Sequence, residues 1–224
     1  MNTSIFRANE PAIERLFGRR KAVIGVIHSW PLPGSPHYEG ESVESIYRYA
    51  CEEAERYGDG GVDGLIVENH GDIPFAKPDE GFVEGKAGAA SSYRAALRAR
   101  DIAIFTDVHV KHGAHAIVAD CTLAQLTQDA EFFDADAVIV TGQRTGDSAK
   151  LDELQAVSDA TKLPVLVGSG VNADNVASIF DHADAVIVAS ALKHGGSWWN
   201  AVDPARLAQF MAVVRQVRQT HGVR

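Results

Sequence analysis

The chain has 224 residues, 46% of them hydrophobic and 23% charged, a balance that excludes disordered, fibrous and membrane-embedded classes and predicts one folded domain over 1–224. Its formal charge of −9, with no stripe of Lys and Arg, argues against a nucleic-acid partner, because neutralising a phosphate backbone needs such a stripe. No run approaches the ~18 consecutive apolar residues of a membrane span.

Near the start, charges occur throughout 1–20 and the apolar core of a secretory signal is absent. Cys51 and Cys121 lie far apart, with neither metal-ligand spacing nor a disulfide framework. A cytoplasmic, reduced setting is therefore expected.

In chain order, an apolar run at 22–28 predicts a first strand, and helical spacing follows over 42–57. A second strand over 64–69 precedes a helix over 84–100, then a third strand over 102–110 and a helix over 121–132. Strands over 137–142, 165–170 and 185–190 alternate with helices over 151–161 and 173–180. Asp203 before Pro204 gives the last helix, to about 219, an N-cap and a proline at its first position. Most strands are continuous Val and Ile runs, the pattern of a parallel sheet covered on both faces. Strict alternation of strand and helix implies right-handed crossovers in an α/β fold.

Three strands begin alike, with Asp63, Asp136 and Asp184 running into an apolar core. This repetition favours a TIM-type barrel of equivalent β/α units over a Rossmann sheet. No G-x-G-x-x-G follows the first strand, and no cofactor is assigned.

In such barrels the ligand sits at the carboxyl ends of the strands. Two Gly- and Ser-rich tips end the last two strands: Gly168, Ser169 and Gly170, and then Ser190. They are the candidate phosphate cradle, because backbone amides can converge there on an anion. Along the third strand, period-two alternation sends Asp107, His109 and Lys111 to one face and Thr106, Val108 and Val110 to the other. A carboxylate, an imidazole and an ammonium at the barrel mouth can tune one another's pKa for proton transfer. Glu68 ends the second strand as a further base. With Asp107 and His109 it also makes an oxygen-rich set for a divalent ion, but that spacing is not diagnostic and no metal is assigned. His28, Asn69, Thr141 and Gly142 complete the strand ends as substrate contacts. The proline-punctuated loop over 29–36 suits a wall, a lid or a plain surface connection, and Trp198 with Trp199 suits a cover over a ligand or a subunit contact.

At these residues the sequence resembles the BtpA/SgcQ family of TIM barrels. The matching segments are IGVIHSWPLPGSPHY, GGVDGLIVENHGDIPF, TDVHVKH, ADAVIVTGQRTG, LPVLVGSGV and ADAVIVASALK followed by WWNAVDP. The resemblance implies a phosphate-binding barrel acting on a sugar or nucleotide phosphate. It also implies two β/α units, the third and fourth, between the second strand's loop and the helix starting near Gly81 and Glu84. Here Lys77-Pro78-Asp79-Glu80 runs directly into that helix. Six strands where a closed barrel has eight leave three readings: a deletion, a segment missing from this sequence, or completion by another subunit. An open edge exposes unpaired backbone groups and invites association, so a homo-oligomer is expected.

The resulting reading is acid/base chemistry on a phosphorylated small molecule, an isomerisation, epimerisation or aldol-type cleavage, with Asp107 or Glu68 as base and Lys111 as electrophile. Its rival is a non-catalytic assembly or regulatory factor, as in photosystem I biogenesis, that uses the barrel as a scaffold.

Overall fold

The computed structural model describes residues 11–72, 87–99, 101–108, 120–142 and 150–222. Six strands, β1 (Ala22–His28), β2 (Gly64–Glu68), β3 (Phe105–Asp107), β4 (Ala137–Val140), β5 (Val165–Val167) and β6 (Ala185–Val188), form one sheet in the order β2-β1-β6-β5-β4-β3. Every pairing is parallel. The first and last strands are therefore neighbours, as in a barrel, and the sheet curls into an incomplete one. Its two edges are β2 and β3, the strands between which the third and fourth units were expected.

Among the described residues, seven helices accompany the strands: α1 (Ala12–Phe17), α2 (Val43–Gly60), α3 (Ala87–Ala96), α4 (Leu123–Phe132), α5 (Leu151–Ala160), α6 (Val176–Phe180) and α7 (Pro204–Thr220). Each predicted strand and helix is present; most ends are drawn in by a few residues, while α2 runs on to Gly60. Short strands end early because the polar and Gly-rich tips turn away into loops.

Alternation sorts the strand residues into two apolar clusters. One face, with Val23, Ile27, Val138, Val140, Val165, Val186 and Val188, packs against Tyr57 of α2, Leu154 of α5, Phe180 of α6 and Phe210 of α7. The opposite face, with Ala22, Ile24, Ala137, Leu166 and Ala185, lines the barrel interior and packs against Ile13 of α1. Phe17 of α1 joins this cluster. A Cβ at Gly64 would lie 2.4 Å from the Phe17 ring, so a glycine at the start of β2 is what lets α1 seat there.

The three repeated aspartates share one job. Asp63 Oδ2 accepts from Val23 N–H at 2.8 Å, Asp136 Oδ2 from Ile104 N–H at 2.8 Å, and Asp184 Oδ2 from Val165 N–H at 3.0 Å. Each thus pins the backbone at the start of a neighbouring strand. Each also holds an arginine: Arg218 on Asp63, Arg94 on Asp136 and Arg20 on Asp184. These clamps sit at the amino ends of the strands, leaving the carboxyl ends for the site.

Candidate functional site at the strand carboxyl ends

The register places His28 of β1 opposite Glu68 of β2, and β6 flanks β1 on its other side. The tips of β5 and β6 are also side by side, since those strands pair directly. As a result His28, Glu68, Thr141, Gly168, Ser169, Gly170 and Ser190 line one cavity of about 490 Å³, together with His70, Asn172 and Trp198. That is the size range of a small-molecule site.

The β5 tip is built by its own hydrogen bonds. Asn172 N–H donates to Asn175 Oδ1 at 2.8 Å, Asp174 N–H donates to Asn172 Oδ1 at 2.9 Å, and Asn175 Nδ2 donates to the Gly170 carbonyl at 2.9 Å. Gly170 has a φ of 70°, in the left-handed region that glycine adopts without strain. Gly168 is required for a different reason. A Cβ there would lie 2.8 Å from Ile139 Cγ2 and 2.9 Å from Thr141 Cγ2. Ser169 Oγ accepts from Gly142 N–H at 3.1 Å, which stitches the β4 and β5 tips together. Ser190 opens a 3₁₀ turn, Ser190–Leu192, directly after β6.

Opposite this tip stands an aromatic wall. The rings of His28 and His70 are 5.4 Å apart, His28 and Trp198 5.2 Å, and His70 and Trp198 4.4 Å, all edge-to-face. Glu68 Oε2 lies 3.8 Å from His70 Nδ1. His28 is buried, and its imidazole is pushed down to about 4 by burial first, then by the charges of Lys193 and His70. It is therefore neutral at physiological pH. Behind it, Lys193 and Glu53 form an ion pair at 3.3 Å with both side chains fully buried. Glu53 also accepts from Val202 N–H at 3.1 Å. Burial pulls the Lys193 ammonium below its ordinary value, while Glu53 opposes that shift.

The other expected residues fall elsewhere. Asp107 ends β3 exposed at the open edge of the sheet and does not line the cavity, while Val108 turns into the helix-facing core as alternation required. Asn69 is exposed and donates from Nδ2 to Asp72 Oδ2 at 2.9 Å. Gly142 is buried behind Ser169. His109 and Lys111 lie outside the described residues. The proline loop packs beside the mouth: Leu32 N–H donates to Asp72 Oδ1 at 2.7 Å, and Trp30 stacks on Tyr49 of α2 at 4.8 Å. Trp198 lines the cavity whereas Trp199 is exposed. Among the described residues, no group of three or more His, Cys, Asp or Glu is placed to hold a metal ion.

His70, Asn172 and the Glu53–Lys193 pair were not singled out from sequence. His70 had a signal, standing two residues beyond Glu68. The ion pair had none, because its partners are 140 residues apart.

Fold and mouth together define an α/β protein of the TIM-barrel class whose barrel is incomplete. The chain belongs to the BtpA family, whose model matches residues 19–79 and 76–216. An uncharacterized mitochondrial protein of Caenorhabditis elegans is 32% identical over 89% of this chain and 95% of its own. The photosystem I biogenesis protein BtpA of Synechocystis is 31% identical over 89% of this chain and 90% of its own. A solved structure of (S)-3-O-geranylgeranylglyceryl phosphate synthase from Thermoplasma acidophilum, in complex with its substrate sn-glycerol-1-phosphate, shares the fold. Its TM-score is 0.51 at 12% identity, covering 91% of this chain and 97% of that one.

The alignments also measure the gap. The family match breaks at 76–79. The worm protein aligns over 265 positions, but 89% of 224 residues is about 199, so about 66 of its positions have no counterpart here. With ~250 residues shared among eight units of a typical barrel, that is about two β/α units.

Proposed function

We propose that this protein binds a phosphorylated small molecule, a sugar or nucleotide phosphate, with the anion held at Gly168, Ser169, Gly170 and Ser190. The observation that carries the reading is that both Gly- and Ser-rich tips line the same cavity as Glu68 and His28. Backbone amides at such tips are the usual anion-binding groups of this barrel class, and the Thermoplasma synthase, similar in fold, holds a glycerol phosphate. Proton transfer falls to Glu68 and its neighbour His70 rather than to Asp107, since Glu68 and His70 line the cavity and Asp107 does not. Lys111 keeps its place as the proposed electrophile. The cytoplasm is the proposed setting, with both cysteines free and no helix among the described residues long and apolar enough to cross a membrane.

Calorimetric titration of the full chain with inorganic phosphate and D-ribose 5-phosphate tests this. Both are expected to bind, and Ser190→Glu, which sets a carboxylate against the anion, is expected to abolish binding of both. Binding of neither compound, or equal binding by the variant, overturns the reading.

A second reading, a scaffold for assembly, is favoured by the apolar side chains at the gap. Val67 on β2 is 64% exposed and Tyr93 on α3 is 68% exposed. We propose that these flanks are covered by association into a homo-oligomer.

A further inference from the structure

The cavity has two ends of different chemistry. Gly168 to Asn172 and Ser190 form one, and His28, Glu68, His70 and Trp198 form the other. At about 490 Å³ the space exceeds what one phosphate group fills, so the second end faces the remainder of any phosphorylated ligand.

His28 is the unusual residue of that second end. Only 9% of it is exposed, and its ring is held between His70 and Trp198. Nδ1 is buried and has no hydrogen-bond partner among the described residues. Native proteins rarely leave such an atom unmet, because its lost hydration is not replaced. His28 lines the cavity, and an unmet nitrogen on a lining residue is what a ligand entering there can complete.

The ring's protonation state fixes what can complete it. A hydrogen bond to the Trp198 backbone favours a hydrogen on the ring. Because Nδ1 makes no hydrogen bond, Nε2 is the nitrogen that carries this hydrogen. Burial, Lys193 and His70 all disfavour a second one. A neutral imidazole with hydrogen on one nitrogen presents a lone pair on the other. Nδ1 is thus an acceptor, and its counterpart must be a donor such as a hydroxyl.

We propose that His28 Nδ1 accepts a hydrogen bond from a ligand hydroxyl, so that the cavity selects a polyol or sugar phosphate over phosphate esters lacking hydroxyls. The inference rests on the phosphate reading above and deepens it. His28 acts here as a binding and specificity residue, in contact with the ligand.

The test uses the full chain and five probes: inorganic phosphate, propyl phosphate, glycerol 1-phosphate, D-ribose 5-phosphate and D-glucose 6-phosphate. For the native protein, at least one of the three polyol phosphates is expected to bind about tenfold more tightly than propyl phosphate, as one hydrogen bond allows. His28→Phe keeps the ring volume without an acceptor. It is expected to bring that polyol phosphate down to the propyl phosphate affinity, while inorganic phosphate changes less than about twofold, within the spread of measured single-contact effects. His28→Asn, whose Oδ1 falls near the position of Nδ1, is expected to recover part of the preference.

Two results overturn the proposal while leaving the phosphate reading intact. In the first, no polyol phosphate outbinds propyl phosphate. In the second, His28→Phe, or His28→Asn if the phenylalanine variant does not fold, weakens all five probes equally. If inorganic phosphate and all four esters fail to bind the native protein, the phosphate reading fails and this inference goes with it.

Discussion

Asp63 shows how much one side chain can carry in this fold. Its carboxylate meets the Val23 N–H at 2.8 Å and the Arg218 guanidinium, with both side chains 8% exposed. Removing one member of a buried ion pair leaves the other uncompensated, at about 3–5 kcal/mol. Asp63→Ala is therefore expected to lower unfolding stability by about that much in urea titration, and a loss below about 1 kcal/mol, the range of an exposed pair, would contradict the clamp. The recurrence of Asp63, Asp136 and Asp184 was legible as a repeat. Its purpose was not, because each aspartate's backbone partner lies 40, 32 or 19 residues away and is brought near only by strand pairing. His28 titrates in the opposite sense from a salt-bridged histidine. Its value falls from 6.5 to about 4 on folding, so between those limits the unfolded chain binds the extra proton. Stability is then fully present above about pH 6.5 and is lost as pH falls towards 4, by up to about 3 kcal/mol from this group. Unfolding measured from pH 7 to 4.5 is expected to show a shallower decline for His28→Asn than for the native protein, and parallel curves would contradict a buried neutral imidazole.

At the scale of elements, apolar periodicity located every strand and every longer helix, because parallel strands buried on both faces read as unbroken Val and Ile runs. The helix α1 escaped notice. It is short, lies before the first strand outside the strand-helix alternation, and is held by tertiary packing of Ile13 and Phe17 against the barrel interior. Site residues on strand inner faces were legible for the same reason as the strands: His28, Glu68 and Gly168 follow from counting by twos to the carboxyl end. Asp107 obeys that count as well, yet it stands outside the cavity, which is lined from the tips of β1, β2, β4, β5 and β6, while β3 lies beyond β4 at the far edge of the sheet. Gly168 belongs to the candidate anion cradle. Its contacts give it a packing duty as well, since Ile139 and Thr141 occupy the space where its Cβ would be.

For the molecule as a whole, the interrupted barrel is the feature with the widest consequences. Among the described residues β2 and β3 each end the sheet, and parallel edges left unpaired there, next to exposed apolar side chains, favour association. Light scattering at about 10 μM, a concentration at which an interface of about −8 kcal/mol is mostly formed, is expected to return at least twice the mass of one chain, and Val67→Asp is expected to shift it towards one. A native protein that stays at the mass of a single chain would contradict association through this gap. The number of missing units was readable from the sequence by counting strands, but the position of the opening, facing away from the β5 and β6 tips across β1 and β4, needed the sheet order. That position is why the mouth survives the interruption. Its walls come from β1, β2, β4, β5 and β6, of which β1, β4, β5 and β6 are paired on both sides and β2 is an edge strand. The most direct test of the account is a crystal structure of the protein grown with D-ribose 5-phosphate. The account predicts the phosphate between the 168–170 tip and Ser190, with the sugar directed towards His28. A phosphate bound at any other surface, with this cavity holding only water, would contradict it.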